Sequence, residues 1–368
     1  MQTTGTNMAR RLLWLILTTA CLHGTNIYAA ETIDQDFYQP SIHDGEVYWN
    51  YGKPDVRPSH SMFEIGRRFF FDDIDNREPK SVLPVINMDP AQFKHPPPSD
   101  IRITWMGHST LLIEMGPYRL LTDPVFSERT SPVQWIGPKR FHPPPIAIKD
   151  LPELDAIIIS HDHYDHLDYD SITELAPKTG KFFTPIGVGQ RLIDWGIEPD
   201  KVIELDWWQE AQLNTEIKLA ATPAQHFSGR TLLDRNETLW ASWAIIGDKH
   251  RIYFSGDTGM FDLFKAIGDR YGPFDFTLMH VGAYADEWAK VHMNPEEAVE
   301  AHKMLRGKVF LPIHWGTFRL AFHPWKEPAE RLYVKSIAEQ LAFYIPKAGE
   351  YVSSPLLPEQ TTWWRDIE

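Results

Sequence analysis

Short segments of alternating apolar and polar residues begin near residue 101, and this period of two predicts β-strands. Residues 101–106, 110–115 and 118–122 follow one another with short turns between them, which predicts three consecutive strands. The almost entirely apolar run 156–160 predicts a buried strand. Strands of a second sheet are predicted at residues 217–221, 240–246 and 251–254, and another buried strand at 309–313.

Helices are predicted at residues 169–176, 259–267 and 328–343. Another helix is predicted to begin at Asn294, where an asparagine cap is followed by Pro295 and two acidic residues that favour the first turn. Residues 31–100 show no sustained period and are rich in Pro, Asp, Asn and aromatic residues. We therefore predict an extended arm over 31–100 that packs on a domain of residues 101–368.

The composition limits the class of protein and of partner. Hydrophobic residues make up 43% and charged residues 23% of the 368 residues, as in ordinary globular proteins. The formal net charge of -14 argues against a nucleic acid as the main partner, because binding to phosphates requires clustered Lys and Arg.

The first 30 residues have the pattern of an export signal. Arg10 and Arg11 precede an apolar run at 12–17, which is shorter than the roughly 20 residues that span a bilayer. Small residues then continue to Ala30, so cleavage near that point is the favoured interpretation. The alternative is a lipid anchor on Cys21, the single cysteine. Either way the protein is predicted to be exported to the periplasm or cell envelope.

A cluster of metal-binding residue types follows the buried strand 156–160. Segment 161–166 contains three histidines and two aspartates, and four of these side chains have the spacing of metal ligands. His161 and His163, two residues apart, project to the same side of an extended loop, while Asp165 and His166 come where the loop turns into a helix. Zinc binds such nitrogen and oxygen donors, so a metal site is favoured over a solvated, histidine-rich loop.

Three further candidates lie near the ends of other predicted strands. His226 follows the strand at 217–221, Asp257 follows 251–254, and His314 follows 309–313. Each alone has an ordinary explanation as a core histidine or a turn aspartate. A shared site at one edge of a pair of sheets would require residues near strand ends, and all three residues have such positions.

The ligand series and its flanking motifs resemble the metallo-β-lactamase superfamily, and within it the N-acyl-phosphatidylethanolamine-hydrolysing phospholipases D and their bacterial relatives. The resemblance runs from about residue 79 to residue 330. It includes the segments 105–110, 121–124, 137–141, 223–226, 282–284, 295–298 and 313–318. It implies an α+β fold, a four-layer αββα sandwich with metals at one edge between the sheets.

The resemblance also implies two divalent ions, with Zn2+ expected although these residues accept iron or manganese too. The implied ligands are His161, His163 and His226 for one ion, Asp165, His166 and His314 for the other, and Asp257 as a bridge. Asp123 is a candidate for orienting a ligating histidine, with a turn cap as the alternative. His108 is a similar candidate, with a histidine bonded to the turn backbone as the alternative.

The activity implied by the resemblance is cleavage of a phosphodiester bond by a metal-bridging hydroxide. A phospholipase D would release N-acylethanolamine and phosphatidic acid from a phospholipid at a membrane surface, with Asp165 and Asp257 as catalytic residues. His292, near a helix start, is a candidate substrate contact, and Tyr164 either contacts substrate or packs the loop. The alternatives are hydrolysis of a lactone or soluble phosphodiester, and a non-hydrolytic metal protein. The sequence leaves the oligomeric state open.

Overall fold

The computed structural model describes residues 38–59, 61–71, 75–97, 99–354 and 357–368. The predicted export signal at residues 1–30, with Cys21, lies outside these residues. Backbone contacts join the described residues into one compact unit. No helix within the described ranges is both long enough and apolar enough to cross a bilayer.

Two seven-stranded sheets form the centre of this unit. The first contains β3 (Ile101–Gly107), β4 (Thr110–Met115), β5 (Tyr118–Thr122), β6 (Leu154–Ile158), β7 (Thr179–Pro185), β8 (Val202–Leu205) and β16 (Tyr351–Val352). Its order is β16-β3-β4-β5-β6-β7-β8, and the pairs from β5 to β8 are parallel.

The second sheet, like the first, combines antiparallel pairs at one side with parallel pairs at the other. It contains β9 (Glu210–Gln212), β10 (Ile217–Thr222), β11 (Ser242–Gly247), β12 (Arg251–Phe254), β13 (Phe274–His280), β14 (Gly307–Ile313) and β15 (Ala342–Phe343). Its order is β15-β14-β13-β12-β11-β10-β9, and the pairs from β12 to β15 are parallel. A separate ribbon pairs β1 (Ile42–His43) with β2 (Tyr48–Trp49).

Helices cover the outer face of each sheet. They are α2 (Tyr169–Leu175), α3 (Val188–Asp194), α4 (Leu263–Tyr271), α5 (Pro295–Met304) and α6 (Glu327–Ala338), whereas α1 (Met62–Phe71) belongs to the segment that precedes β3. Strand β6 shows the layering: Ala156 and Ile158 point into the core between the sheets, while Ile157 packs in a second core with Ile172 of α2 and Leu192 of α3. Alternate side chains of a strand point to opposite faces, so an apolar run fits this position. The four-layer αββα sandwich is thus confirmed.

Two predicted helices have different bounds in the structure. The helix predicted at 259–267 begins only at Leu263, because Gly259 passes so close to the backbone of Lys290 that a side chain there would collide with it. The helix predicted to reach residue 343 ends at Ala338. Gln340 then adopts a left-handed conformation, and the chain continues into β15.

The segment predicted as an extended arm is not extended throughout. It contains α1 and a 3-10 turn at Pro90–Lys94. Ser61 and Glu64 cap the first turn of α1 reciprocally, because the Ser61 hydroxyl accepts from the Glu64 amide and the Glu64 carboxylate accepts from the Ser61 amide. Nearer the start of the arm, the Asn50 side chain accepts a hydrogen bond from the His226 amide (2.9 Å) and donates one to the His226 carbonyl oxygen (2.8 Å).

Candidate metal centre

Strand ends of both sheets deliver the seven predicted ligands to one edge of the sandwich. Segment 161–166 follows β6 of the first sheet, while His226, Asp257 and His314 follow β10, β12 and β14 of the second sheet. Side chains of all seven come together in overlapping groups whose ligand atoms lie within 4.8 Å of one another. The fold thus brings together ligand residues that are spread over 153 positions of the chain, from His161 to His314.

The first ligand cluster consists of three histidines. His161 Nε2 lies 2.8 Å from His163 Nδ1, and His226 Nε2 lies 3.3 Å from that same atom. Nitrogen ligands of a tetrahedral zinc ion, each about 2.1 Å from the metal, stand roughly 3.4 Å apart, which is close to the second of these distances, while the first would lengthen when a metal ion binds. The spacing therefore suits three ligands that face one ion.

The second ligand cluster adds carboxylates to histidines. Asp165 Oδ2 lies 3.2 Å from His314 Nε2 and 3.5 Å from His166 Nε2. Asp257 Oδ2 lies 3.0 Å from His314 Nε2, 3.2 Å from His166 Nε2 and 3.9 Å from His226 Nε2. Because it approaches histidines of both clusters, Asp257 occupies the position expected of a shared ligand.

The far nitrogen of each of three ligand histidines has a hydrogen-bond partner of its own. His166 Nδ1 donates to Asp123 Oδ2 at 2.6 Å, and His226 Nδ1 donates to the carbonyl oxygen of Val291 at 3.1 Å. His161 Nδ1 lies 2.9 Å from the Ser160 hydroxyl. A proton on Nδ1 leaves the Nε2 lone pair pointing into the cluster, the tautomer that metal binding requires. His166 Nε2 is buried without a hydrogen-bond partner among the described residues, which also fits a ligand atom.

Burial and charge shift the pKa values of these groups, and the direction differs from one ligand to another. Burial alone would raise the pKa of Asp165 and of Asp257, but the surrounding histidines, His166 foremost, hold both well below their ordinary value. Burial, aided by the neighbouring histidines, lowers the pKa of His161 and His226. The nearby carboxylates, Asp257 foremost, instead raise the pKa of His166 and His314 despite their burial, so these two imidazoles would give up a proton when a metal ion binds. Anionic carboxylates and neutral imidazoles are the forms that bind a divalent cation.

Three residues of the centre have a backbone conformation that is uncommon outside glycine. The φ angles of His108, Asp123 and His314 are 54°, 33° and 63°. Hydrogen bonds hold this strained backbone, since the His108 amide donates to Thr317 Oγ1 (2.7 Å) and the His314 amide donates to the His108 carbonyl oxygen (3.0 Å). Such conformations persist only where the surroundings over-determine them, and they cluster at functional sites.

The residues predicted to orient the ligands lie against them. Asp123 accepts from His166 Nδ1 at 2.6 Å and from the Ser160 amide at 2.7 Å. His108 Nε2 lies 3.0 Å from Asp165 Oδ2. Carboxylates bonded to metal-ligating histidines fix their tautomer and ring orientation. The geometry suits the predicted roles of both residues.

The two predicted substrate contacts are placed differently. His292 Nε2 lies 3.5 Å from Asp257 Oδ2, and His292 lines a cavity of about 280 Å³ together with four of the predicted ligands. The Tyr164 ring instead lies under the Arg230 guanidinium at 3.9 Å and does not line this cavity. The structure thus brings His292 to the site and uses Tyr164 in packing the ligand loop. Tyr164 as a substrate contact stays a prediction.

One buried histidine of the centre was not predicted. His280 Nδ1 lies 3.0 Å from Asp257 Oδ1, and its Nε2 lies 2.6 Å from the carbonyl oxygen of Gly282. His280 thereby holds the carboxylate oxygen that faces away from the clusters. It is the last residue of β13, so the strand-end position that marked the other candidates marks His280 as well.

We expect His280→Ala to weaken metal binding about 10- to 100-fold, because Asp257 loses a partner that orients it. Competition with a chromophoric chelator measures this affinity. His250→Ala is the matched control, because His250 lies just before the start of β12, at the end opposite to Asp257. Equal affinity in His280→Ala and wild type, with circular dichroism unchanged, would contradict the expected role.

Comparison with known proteins agrees with this geometry. A sequence model described as the Beta-lactamase superfamily domain matches residues 118–315. The chain belongs to the metallo-β-lactamase superfamily. An uncharacterized protein of Mycobacterium tuberculosis is 49% identical over 271 residues, or 73% of this chain and 72% of that protein.

Two further similarities concern activity and fold. N-acyl-phosphatidylethanolamine-hydrolyzing phospholipase D 1 of Caenorhabditis elegans is 37% identical over 323 residues, or 82% of this chain and 89% of that protein. The solved structure of Igni18, a metallo hydrolase from Ignicoccus hospitalis, matches with a TM-score of 0.52 and 24% identity, covering 68% of this chain and 97% of that one. This metallo-β-lactamase superfamily member is a metal-dependent hydrolase, and the donor set at its sheet edge fits divalent metal ions.

Proposed function

We propose that this hydrolase is a phospholipase D that cleaves N-acyl-phosphatidylethanolamine with two divalent ions, expected to be Zn2+. The observation that carries the proposal is the cavity beside the ligand clusters. One wall holds the ligand candidates, whereas the rest is largely apolar, with Val56, Pro58, Ile65, Phe227, Trp288, Val291 and Leu320. A substrate with a phosphodiester next to acyl chains matches such a cavity. The 37% identity to the nematode phospholipase D supports the same activity.

The residues of the centre support hydrolysis at a phosphodiester. Divalent ions held by the two clusters would lower the pKa of water and stabilise negative charge on phosphoryl oxygens. Asp165 lines the cavity, and its pKa, well below the ordinary carboxyl value, keeps it anionic, so it is suited to orient a water molecule by accepting a hydrogen bond from it. His292 Nδ1 donates to the Ala283 carbonyl oxygen at 2.8 Å, which leaves Nε2 as an acceptor toward the cavity. That acceptor suits an amide N–H or a hydroxyl of the substrate.

Analysis of products by mass spectrometry tests the activity. Metal-loaded protein is incubated with defined phospholipids, a lactone and a soluble phosphodiester. We expect N-acylethanolamine and phosphatidic acid to appear from N-acyl-phosphatidylethanolamine. Intact phospholipids alongside a cleaved lactone or soluble phosphodiester would overturn the proposal in favour of those substrates. Export, as predicted from residues 1–30, would bring the enzyme to the membranes of the cell envelope.

An exposed pair of leucines supports contact with a membrane surface. Leu232 and Leu233 are 97% and 91% exposed, and they lie in the loop that follows His226. The same loop contributes Arg235 to the cavity that holds the ligands. Adjacent exposed leucines, in a loop that also lines an apolar cavity, are suited to enter the interfacial region of a bilayer. We therefore propose that this loop faces the lipid.

Replacing both leucines with aspartate is expected to weaken binding to phospholipid vesicles about tenfold, since two apolar side chains no longer leave water on binding. Vesicle sedimentation measures the binding, while turnover of a soluble phosphodiester is expected to stay unchanged. The matched control replaces Val334 and Ile337 of α6, which are 57% and 56% exposed, with aspartate. Equal loss of vesicle binding in both double variants would argue against this surface.

A further inference from the structure

The side chain of Arg235 lies beside the ligand clusters but is not among the predicted metal ligands. Arg235 lines the same cavity as His163 and Asp257. Its guanidinium carbon lies 4.1 Å from the centroid of the Phe227 ring, and that ring lies 4.6 Å from the ring of His163. Only one aromatic ring therefore separates this positive charge from the first ligand cluster.

The partners of nearby arginines show that Arg235 is unusual. Arg191 pairs with Asp162 at 2.8 Å and with Asp234 at 2.9 Å. Arg230 donates to two backbone carbonyl oxygens, including that of Asp162 at 2.8 Å. Arg235 has neither a carboxylate partner nor a side-chain hydrogen bond within the described residues, although the chain has 50 acidic residues against 36 basic ones. Partial burial lowers the pKa of Arg235, as expected of a cation that loses water without gaining an anion.

Hydrogen bonds fix the loop that contains Arg235 relative to the metal ligands. Asp162, which stands between His161 and His163 in the chain, accepts from the Gly229 amide at 2.7 Å and from the Thr238 hydroxyl at 3.0 Å. The position of Arg235 is therefore set by the same segment that presents the first ligand cluster. A binding group held in this way needs little reorganisation when its ligand arrives.

We propose that Arg235 binds the non-bridging oxygens of the substrate phosphodiester and selects anionic substrates over neutral esters. The inference rests on the proposed function, because it assumes a phosphodiester substrate. Asp165 and Asp257 place two negative charges at the cavity wall, so an anionic substrate gains from a cation beyond the metal ions. The planar guanidinium can donate hydrogen bonds to two phosphate oxygens at once, and a cation–π contact with the Phe227 ring holds it in place.

Binding of inorganic phosphate to the metal-loaded protein tests this role without any need for turnover. Isothermal titration calorimetry is expected to show about 10- to 100-fold weaker binding by Arg235→Gln, the cost of a charged hydrogen bond. Arg235→Lys keeps the charge but not the planar pair of donors, so intermediate binding is expected. Arg306→Gln is the matched control, because Arg306 precedes β14 at the end opposite to His314.

Kinetics separate substrate binding from a general effect on the fold. Arg235→Gln is expected to raise KM for bis(4-nitrophenyl) phosphate while leaving the metal content and KM for the neutral ester 4-nitrophenyl acetate unchanged. Equal phosphate affinity in Arg235→Gln and wild type, or equal changes in KM for both substrates, would overturn the inference.

The same measurements distinguish this inference from the proposed function. If no phospholipid is cleaved but phosphate binding depends on Arg235, the proposed lipid substrate fails and the anion-binding role stands. If N-acyl-phosphatidylethanolamine is cleaved and phosphate binding is indifferent to Arg235, the phospholipase activity stands and the role of Arg235 fails.

Discussion

Replacing Asp257 with alanine is expected to lower kcat for hydrolysis by about 10³-fold or more and to reduce the bound metal. Its Oδ2 atom lies within 3.9 Å of the Nε2 atoms of three ligand histidines, which places it between the two clusters. Without this charge, the histidines of the two clusters no longer share a ligand. Product formation and metal content by plasma mass spectrometry measure the two effects.

Asp269→Ala provides the matched control for this substitution. Asp269 lies on α4 and pairs with Lys265 at 2.7 Å on the surface, where such an ion pair contributes little to stability. We expect wild-type activity and metal content in this variant. An Asp257→Ala protein that keeps its metal and retains activity within tenfold of wild type would contradict the assignment of Asp257 as a shared ligand.

Removing the metal with a chelator is expected to abolish hydrolysis and to lower Tm by about 10 °C. The ligand side chains are largely buried, and a bound cation would compensate the carboxylate charges and give His166 Nε2 the partner that it lacks among the described residues. Differential scanning calorimetry with and without chelator measures the shift.

Recovery after chelation identifies the metal that supports activity. The stripped protein is reloaded separately with Zn2+, Mn2+ and Fe2+, and the rate and Tm are compared. Zn2+ is expected to restore both. Full activity and an unchanged Tm after exhaustive chelation, with metal absent by elemental analysis, would contradict a catalytic metal centre.

The resemblance to the metallo-β-lactamase superfamily implied the sandwich, whereas local patterns predicted many of its strands and the place of the ligand residues near strand ends. Alternation and apolar runs mark strands, and His226, Asp257 and His314 each follow a strand closely. Strand β13 was not predicted, and His280 at its end was missed with it. Helix α1 was also missed, although the Ser61–Glu64 capping pair is visible in the sequence.

The position of Arg235 shows what local patterns cannot predict. Nothing around it distinguishes it from any other arginine of a polar loop. Its place at the cavity depends on tertiary contacts, among them the two hydrogen bonds by which Asp162 holds the loop. The Tyr164 ring likewise packs against the guanidinium of Arg230, a residue 66 positions away in the chain. Such placements depend on tertiary contacts.

Each ligand cluster takes residues from both sheets, and this has a consequence for folding. His161 and His163 follow a strand of the first sheet, whereas His226 follows a strand of the second. The second cluster is divided in the same way between segment 161–166 and His314. A chain with one sheet formed would therefore offer an incomplete ligand set. Tight capture of metal should therefore require docking of the two sheets, and bound metal should in turn oppose their separation.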